Sequence, residues 1–508
     1  MATIDSKILR DKIMGCWQGK NMGGVLGEPF EMVRELVNVD FYTQDLTKGV
    51  PANDDLDLQL IWLNACEKYG TAVNADILSE YWLVYQIGNC SEYGTAKQNL
   101  TWGLRPPFSG IVGNQFKDSN GAFIRSELWA CLSPGNPEWA VRYAYEDAIV
   151  DHADEGVFAE AFCAALESAA FFESDINKLI DIGLSYVPED SAIYKVVVLV
   201  KDMYKNGKTI EEIREKLLTD FPSYFGIFNK HPWELKENFP LGELGYDAPV
   251  QIGIIVASLL IGQGDFEKTI ITAVHCGEDA DCTAATAGAI IGIINGDSGL
   301  PEKWKKPLGN KIETLFINKT LCLAIPKDTI ELTDRVIRLL PIFNDNNHCK
   351  ITENGIEIIA DTQQQYDSRD QYFKGNYGME EIKIHEYLKM SPYKKLYRNT
   401  IFNTLVDLGG EPFVKLGEEK KIGITLYNQN LGHVKYCVCV KVIADEGVTI
   451  ISSKYMRAMV ANNYEMKTEM QVDFTVTEQH KPYVDIYLDI TVEGKATNEI
   501  IKCRYFFN

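Results

Sequence analysis

The chain lacks any excess of basic charge. Its 508 residues carry 72 acidic against 50 basic side chains, a formal net charge of -22. Phosphate backbones are bound by basic surfaces, so nucleic acid is excluded as a bulk electrostatic partner, though a small anion in a local pocket is not. Long hydrophobic runs are missing too. The longest apolar stretches, such as Val250–Ile261, are too short to cross a bilayer and contain Gln251 and Ser258. Residues 1–7 hold no apolar signal-peptide core. There is no Cys-x-x-Cys pair among the twelve scattered cysteines, several of which (Cys66, Cys163, Cys322) fall within apolar helical patterns. Cys437 and Cys439 share one face of an expected strand, which alone is no metal-ligand spacing. These absences predict a cytoplasmic protein with reduced thiols and no membrane partner. Internal repeats and low-complexity tracts are absent as well.

What is present changes character near residue 345. Before it, apolar residues recur at helical spacing, as in 61–69, 157–172, 193–204 and 271–294, with Gly/Pro clusters at 105–110 and 133–137 between such segments. Residues 1–345 are therefore predicted to form one mostly helical domain. Beyond it, segments 421–427, 433–440 and 482–490 alternate apolar and polar residues. They predict a β-sandwich over residues 401–508. Residues 346–400, rich in Tyr, Lys and Asp beyond 360, read as a connector. The length fits more than one domain.

Two acidic clusters stand out within the helical part. One is Asn53, Asp54, Asp55, Leu56 and Asp57; the other is Gly277, Glu278, Asp279, Ala280, Asp281 and Cys282. Each opens a stretch that reads as a buried apolar helix, and carboxylates rarely lie beside such a stretch unless something pairs them. Oxygen donors from two distant segments, brought together, would suit a hard divalent cation such as Mg2+. Helix capping offers a second explanation. Asn53 is a good N-cap residue, and acids in a first turn are favoured by the helix macrodipole. The helix after Asp281 is small and apolar on every face, hence deeply buried. On local evidence both explanations stand.

The first helical segment contributes Gly15, Gly19 and Gly23, four residues apart. Glycine costs a helix ~1 kcal/mol relative to alanine, so the stripe reads as a device for close helix packing. Pro29 stops the segment. Glu31 follows, and nothing local distinguishes it from an exposed glutamate.

Taken together, these segments resemble the ADP-ribosylglycohydrolase family. The Gly-x-Asp-Ala-Asp pattern, its small-residue helix and the stretch Asn295–Trp304 are similar to the family's C-terminal signature. Gly15–Glu31 resembles its opening helix, Asn53–Asp55 its Thr-Asp-Asp, Ser119–Arg125 its Asn-Gly loop, and Asp151–Gly156 its histidine segment. The motifs keep the family's order over about residues 8–310; the C-terminal strands lie outside the resemblance. The resemblance implies an all-α ADP-ribosylglycohydrolase-like catalytic domain, here followed by the β-sandwich, with a two-metal Mg2+ centre. It implies metal ligation by Asp54, Asp55, Asp279 and Asp281, with Asn53 and Cys282 at the neighbouring ligand positions. Glu31 and Asp281 would activate water. Asn120, Gly121, His152 and Glu155 would contact the substrate.

The departures from the pattern matter. Asn53 stands where the family has a metal-binding threonine, Leu56 replaces the threonine after Asp-Asp, and Cys282 replaces the one after the last aspartate. Gly24 replaces an aspartate, while Asp57 and Glu278 are extra acids. A thiol suits Mg2+ poorly, so one of the two positions is expected to be weak or to take another divalent cation. Three functions follow: a glycohydrolase acting on an ADP-ribosyl group or other ADP-ribosylated substrate, a hydrolase of a smaller ribosyl compound, or a non-catalytic ligand-binding relative.

Overall fold

The opening helix, Ser6–Gly27, starts where the Asp5 carboxylate accepts the Lys7 and Ile8 N–H groups, both at 2.9 Å. Its glycine stripe does what the spacing predicts. A Cβ on Gly19 would stand 2.1 Å from the Gly288 carbonyl oxygen, and one on Gly23 would stand 2.0 Å from that of Ala284. Gly288 and Gly292 answer from the facing helix, Ala280–Asn295, so the two backbones touch without side chains between them. Gly15 meets Gly292 and Gly27 meets Ala280, which makes the pair antiparallel. The end of the opening helix therefore lies beside the start of its partner. That places residues 28–31 against Asp279 and Asp281.

The computed structural model describes residues 2–221, 245–360, 391–398, 402–428, 436–460, 467–495 and 498–508. The chain divides into two compact units, Met1–Asp370 and Gln371–Asn508. In the first, helices Asp57–Tyr69, Glu155–Ala170, Ala192–Lys205 and Ala248–Gly262 match apolar periodic segments of the sequence. The segment 271–294 does not form one helix. It splits into Phe266–His275 and Ala280–Asn295, because Gly277 and Glu278 adopt φ values of 63° and 64°. Glycine tolerates that conformation and glutamate does not. Glu278 is held there by Arg34 Nε at 2.7 Å and Arg214 Nη2 at 2.6 Å.

The helical unit also carries a three-stranded antiparallel sheet. Gly355–Ala360 lies between Ala2–Ile4 and Cys349–Thr352, with Ala2 opposite Ala360 and Cys349 opposite Ile358. Among the described residues, no helix is long and apolar enough to cross a membrane.

The second unit contains two five-stranded sheets. One orders its strands Lys394–Arg398, Phe402–Asp407, Glu419–Asn428, Lys467–Val476 and Val448–Ile450. The other runs Tyr455–Val460, Tyr436–Ala444, Tyr483–Val492, Asn498–Phe507 and Phe413–Val414. All neighbours are antiparallel except Phe413–Val414 beside Asn498–Phe507. Alternation along each strand sends every second residue inward, as with Val438, Val440 and Val442, and one core joins Ile424 and Val472 of the first sheet to Val440, Ile486 and Leu488 of the second. Of the expected connector, Cys349–Thr352 and Gly355–Ala360 sit in the first unit's sheet and Lys394–Arg398 in the second unit. Its residues 361–390, and the expected strand start at 433–435, lie outside the described residues.

Candidate metal centre

The first acidic cluster is a turn, not a cap. The helix begins at Asp57, with Leu56 in the cap position and no capping side chain. Asn53 instead accepts the Asp55 N–H through Oδ1 at 2.7 Å, and the Asp54 carbonyl accepts the Asp57 N–H at 2.9 Å. Asp279, at the cap position of Ala280–Asn295, makes no side-chain cap bond either. Side-chain capping therefore fails at both clusters, although Asp57 and Asp281 do fall in first turns. It was also too small: a cap contributes about 1 kcal/mol, while burying an ion costs several kcal/mol.

The two clusters meet. Asn53 Nδ2 donates to Asp281 Oδ2 at 3.1 Å, and the Cys282 thiol donates to Asp55 Oδ1 at 3.3 Å, joining segments more than two hundred residues apart. Ligand atoms of Glu31, Asp279 and Asp281 lie within 4.8 Å of one another, as do those of Asp55, Asp281 and Cys282. Asp55, Asp279 and Asp281 are all buried, whereas Glu31 sits exposed at the rim. Yet Asp55 Oδ2, Asp279 Oδ1 and Asp281 Oδ1 have no hydrogen-bond partner.

Electrostatics register the crowding. Burial, then the Asp55 and Asp279 charges, pushes the Asp54 carboxyl up to about 7, against the pull of a Tyr93 hydroxyl bond. Burial and then Asp279 and Asp54 raise Glu31 to about 7. Asp55 rises to about 6 through burial, restrained by Lys20. Asp281 is driven well above the carboxylate range by burial and by Asp279. Each carboxylate obstructs the ionisation of the others, and a shared divalent cation would reverse that.

A family model described as ADP-ribosylglycohydrolase matches residues 5–338. The chain belongs to the ADP-ribosylglycohydrolase family. Among solved structures, it is similar to a chain of an ADP-ribosylglycohydrolase-related protein complex, at 18% identity and a TM-score of 0.42, covering 66% of this chain and 100% of that one. It is also similar to the native conformation of E. coli alpha-2-macroglobulin, at 12% identity and a TM-score of 0.18, covering 21% of this chain and 6% of that one. No curated protein matches it. Membership in the ADP-ribosylglycohydrolase family supports a glycohydrolase function.

Against the ADP-ribosylglycohydrolase pattern, the remaining residues sort by their contacts. Asn120 reaches the cluster, donating through Nδ2 to Asp279 Oδ2 at 2.6 Å. Gly121 makes room for a buried carboxyl: a Cβ there would stand 2.1 Å from Glu92 Oε1. His152 is fully buried, with Nε2 at 2.8 Å from Ser119 Oγ and Nδ1 at 2.9 Å from Asp151 Oδ1. It braces the loop that carries Asn120. Glu155 accepts the Ala192 and Ile193 N–H groups, both at 2.9 Å, and so caps the helix Ala192–Lys205. Neither His152 nor Glu155 joins the acidic cluster. The two extra acids are also committed elsewhere: Glu278 to its two arginines, and Asp57 to the Leu315 and Phe316 N–H groups.

Sequence reading passed over Lys20. Its ammonium is buried and bonds Glu127 Oε1 at 2.7 Å, while Gln59 Nε2 holds the other oxygen of Glu127 at 2.9 Å. Burial opposes the charge, but Glu127 and then Asp55 outweigh it and keep Lys20 protonated. The signal was available: a lysine between Gly19 and Gly23 on a helix that packs almost all round.

Proposed function

We propose that this protein is a metal-dependent glycohydrolase that cleaves the glycosidic bond at a ribosyl anomeric carbon, with an ADP-ribosyl group as its substrate. The supporting observation is the set of orphaned, buried carboxylate oxygens on Asp55, Asp279 and Asp281. These oxygens come from two distant segments and converge on one place, an arrangement that a bound cation would satisfy. Carboxylates are hard donors, and Mg2+ fits the set, with Asp54, Asp55, Asp279 and Asp281 as its holders and Glu31 at the rim. The cation would supply Lewis acidity: it would hold the ribose hydroxyls and lower the pKa of a water.

The chain's own groups do the rest. Glu31 is the exposed member of its triad, so it faces the side from which water and substrate enter. A carboxylate there takes the proton of the attacking water as the new C–O bond forms; the glycosidic bond breaks with its electron pair passing to the departing group, which takes a proton from solvent. Asp281 shares that triad and is the second candidate base. Asn120 fixes one oxygen of Asp279, leaving its other oxygen to face the cluster. The oxocarbenium-like transition state carries positive charge, which an array of carboxylates stabilises.

The test is turnover of ADP-ribosylated arginine and serine peptides, ADP-ribose derivatives and nucleosides, with and without Mg2+. Release of ADP-ribose that stops in the Asp54→Ala/Asp281→Ala double variant is expected. Cleavage of nucleosides alone would move the substrate class to smaller ribosyl compounds. Activity that survives the double variant would overturn the assignment.

A further inference from the structure

The donor set has two halves of different kind. Glu31, Asp279 and Asp281 offer only carboxylate oxygens. Asp55, Asp281 and Cys282 include a sulfur, a soft donor that hard cations avoid. That thiol already serves as a donor to Asp55 Oδ1 at 3.3 Å. Asn53 is committed in the same way. Its Oδ1 accepts the Asp55 backbone N–H at 2.7 Å and its Nδ2 donates to Asp281 Oδ2 at 3.1 Å. A backbone N–H can only donate, so this bond fixes which amide atom is the oxygen. Neither Asn53 nor Cys282 is arranged as a ligand for a hard cation.

Positive charge reaches this half from the protein itself. Lys20 lies one helical turn before Gly24, and Asp55 Oδ2 is 3.4 Å from where a Cβ on Gly24 would stand. Lys20, Gly24, Asn53 and Asp55 line one cavity. Glu127 bonds the Lys20 ammonium at 2.7 Å but does not line that cavity. With no side chain at Gly24, Asp55 and Lys20 share that cavity beside the opening helix.

We infer that this chain holds one hard divalent cation, on the Glu31–Asp279–Asp281 side, and that Lys20 is a fixed counter-charge for Asp55 in place of a second cation. This rests on the metal-dependent reading above and goes beyond it by setting the stoichiometry and naming the residue responsible. The two halves share Asp281, so a cation on one side and an ammonium behind the other leave Asp281 with a single metal to serve.

The experiment is Mn2+ binding to the full chain by calorimetry, with electron paramagnetic resonance as the readout of nuclearity. One Mn2+ per chain with an uncoupled mononuclear signal at every loading is expected. The folded Lys20→Met/Glu127→Gln variant, which removes both charges of the buried pair, is expected to bind Mn2+ about tenfold tighter or to take a second equivalent, since of the two only Lys20 lines the cavity of Asp55. Two Mn2+ per wild-type chain with an exchange-coupled signal would overturn the inference and leave the hydrolase assignment standing. No Mn2+ at millimolar concentration would overturn both. Unchanged affinity and stoichiometry in the folded double variant would overturn the role of Lys20.

Discussion

Two groups of buried acids lie in the same helical unit, and the fold treats them in opposite ways. Asp147 and Asp151 are enclosed around Arg125. Its Nε donates to Asp147 Oδ1 at 2.7 Å, its Nη1 to Asp151 Oδ2 at 3.1 Å, and Nη2 to Asp151 Oδ1, while Trp129 Nε1 takes the second oxygen of Asp147 at 2.8 Å. Burial opposes ionisation of both acids; Arg125 still holds Asp151 below the usual carboxylate range, while Asp147 stays raised. Asp55, Asp279 and Asp281 are also buried and Asp54 is half-buried, yet three of their oxygens have no partner and Asp54, Asp55 and Asp281 are raised. Asp147 and Asp151 have their cation inside the chain, whereas Asp279 and Asp281 each leave one oxygen unpaired beside Glu31.

The comparison can be broken by removing charge from each group in turn. Asp281→Ala is expected to lower kcat/KM by about a thousandfold, roughly 4 kcal/mol of barrier, while the metal-free melting temperature holds or rises, because a crowded charge has gone. Arg125→Met is expected to cost about 3–5 kcal/mol of stability by stranding two buried carboxylates, with no rescue by Mg2+. Equal losses of metal-free stability in the two variants, by chemical denaturation, would erase the distinction.

A finer division runs between holding the cation and using it. Glu31→Gln keeps the shape and removes the base, so turnover is expected to fall about a hundredfold with metal content intact. A variant that loses metal together with turnover would make Glu31 a ligand only.

The smallest effect is a dependence on pH. Glu31 and Asp54 rise to about 7 and Asp55 to about 6, all above their ordinary values in an unfolded chain. Between the unfolded and folded values the native state binds more protons, so stability is present at acid pH and is lost as pH rises through about 6 to 7. The metal-free protein is expected to melt a few degrees lower at about pH 8 than at about pH 5. Mg2+ should raise the melting temperature more at the higher pH, where ionised ligands bind it. Equal Mg2+ shifts at both, by scanning calorimetry, would remove the cluster as the titrating element.

The outline of this arrangement was legible in residue order, because spacing encodes it. Glycines four apart announced a helix contact, and Gly19 against Gly288 made it. Alternating apolar residues announced the sandwich. Acids beside apolar helices marked the two segments whose side chains meet. What stayed hidden depends on partners from elsewhere in the chain. The break at Gly277 and Glu278 runs through an apolar stretch and is held by Arg34 and Arg214. The turn at Asn53 is set by one bond to the Asp55 N–H, which local preference reads as a cap. His152 and Glu155 sit in a family motif, but their contacts to Ser119 and to the start of a distant helix come from folding alone. Lys20 is an oversight that pattern could have prevented, since it lies beside the glycine stripe on a helix buried almost all round.

The small sheet that sets Ala2–Ile4 beside Ile358–Ala360 has a further consequence. It brings the entry and the exit of the helical unit to the same spot, two adjacent threads of one ribbon. A unit whose ends emerge together can be spliced into a longer chain, or cut out of one, at a single location without pulling its interior apart. In that sense the helical body is built as a cassette.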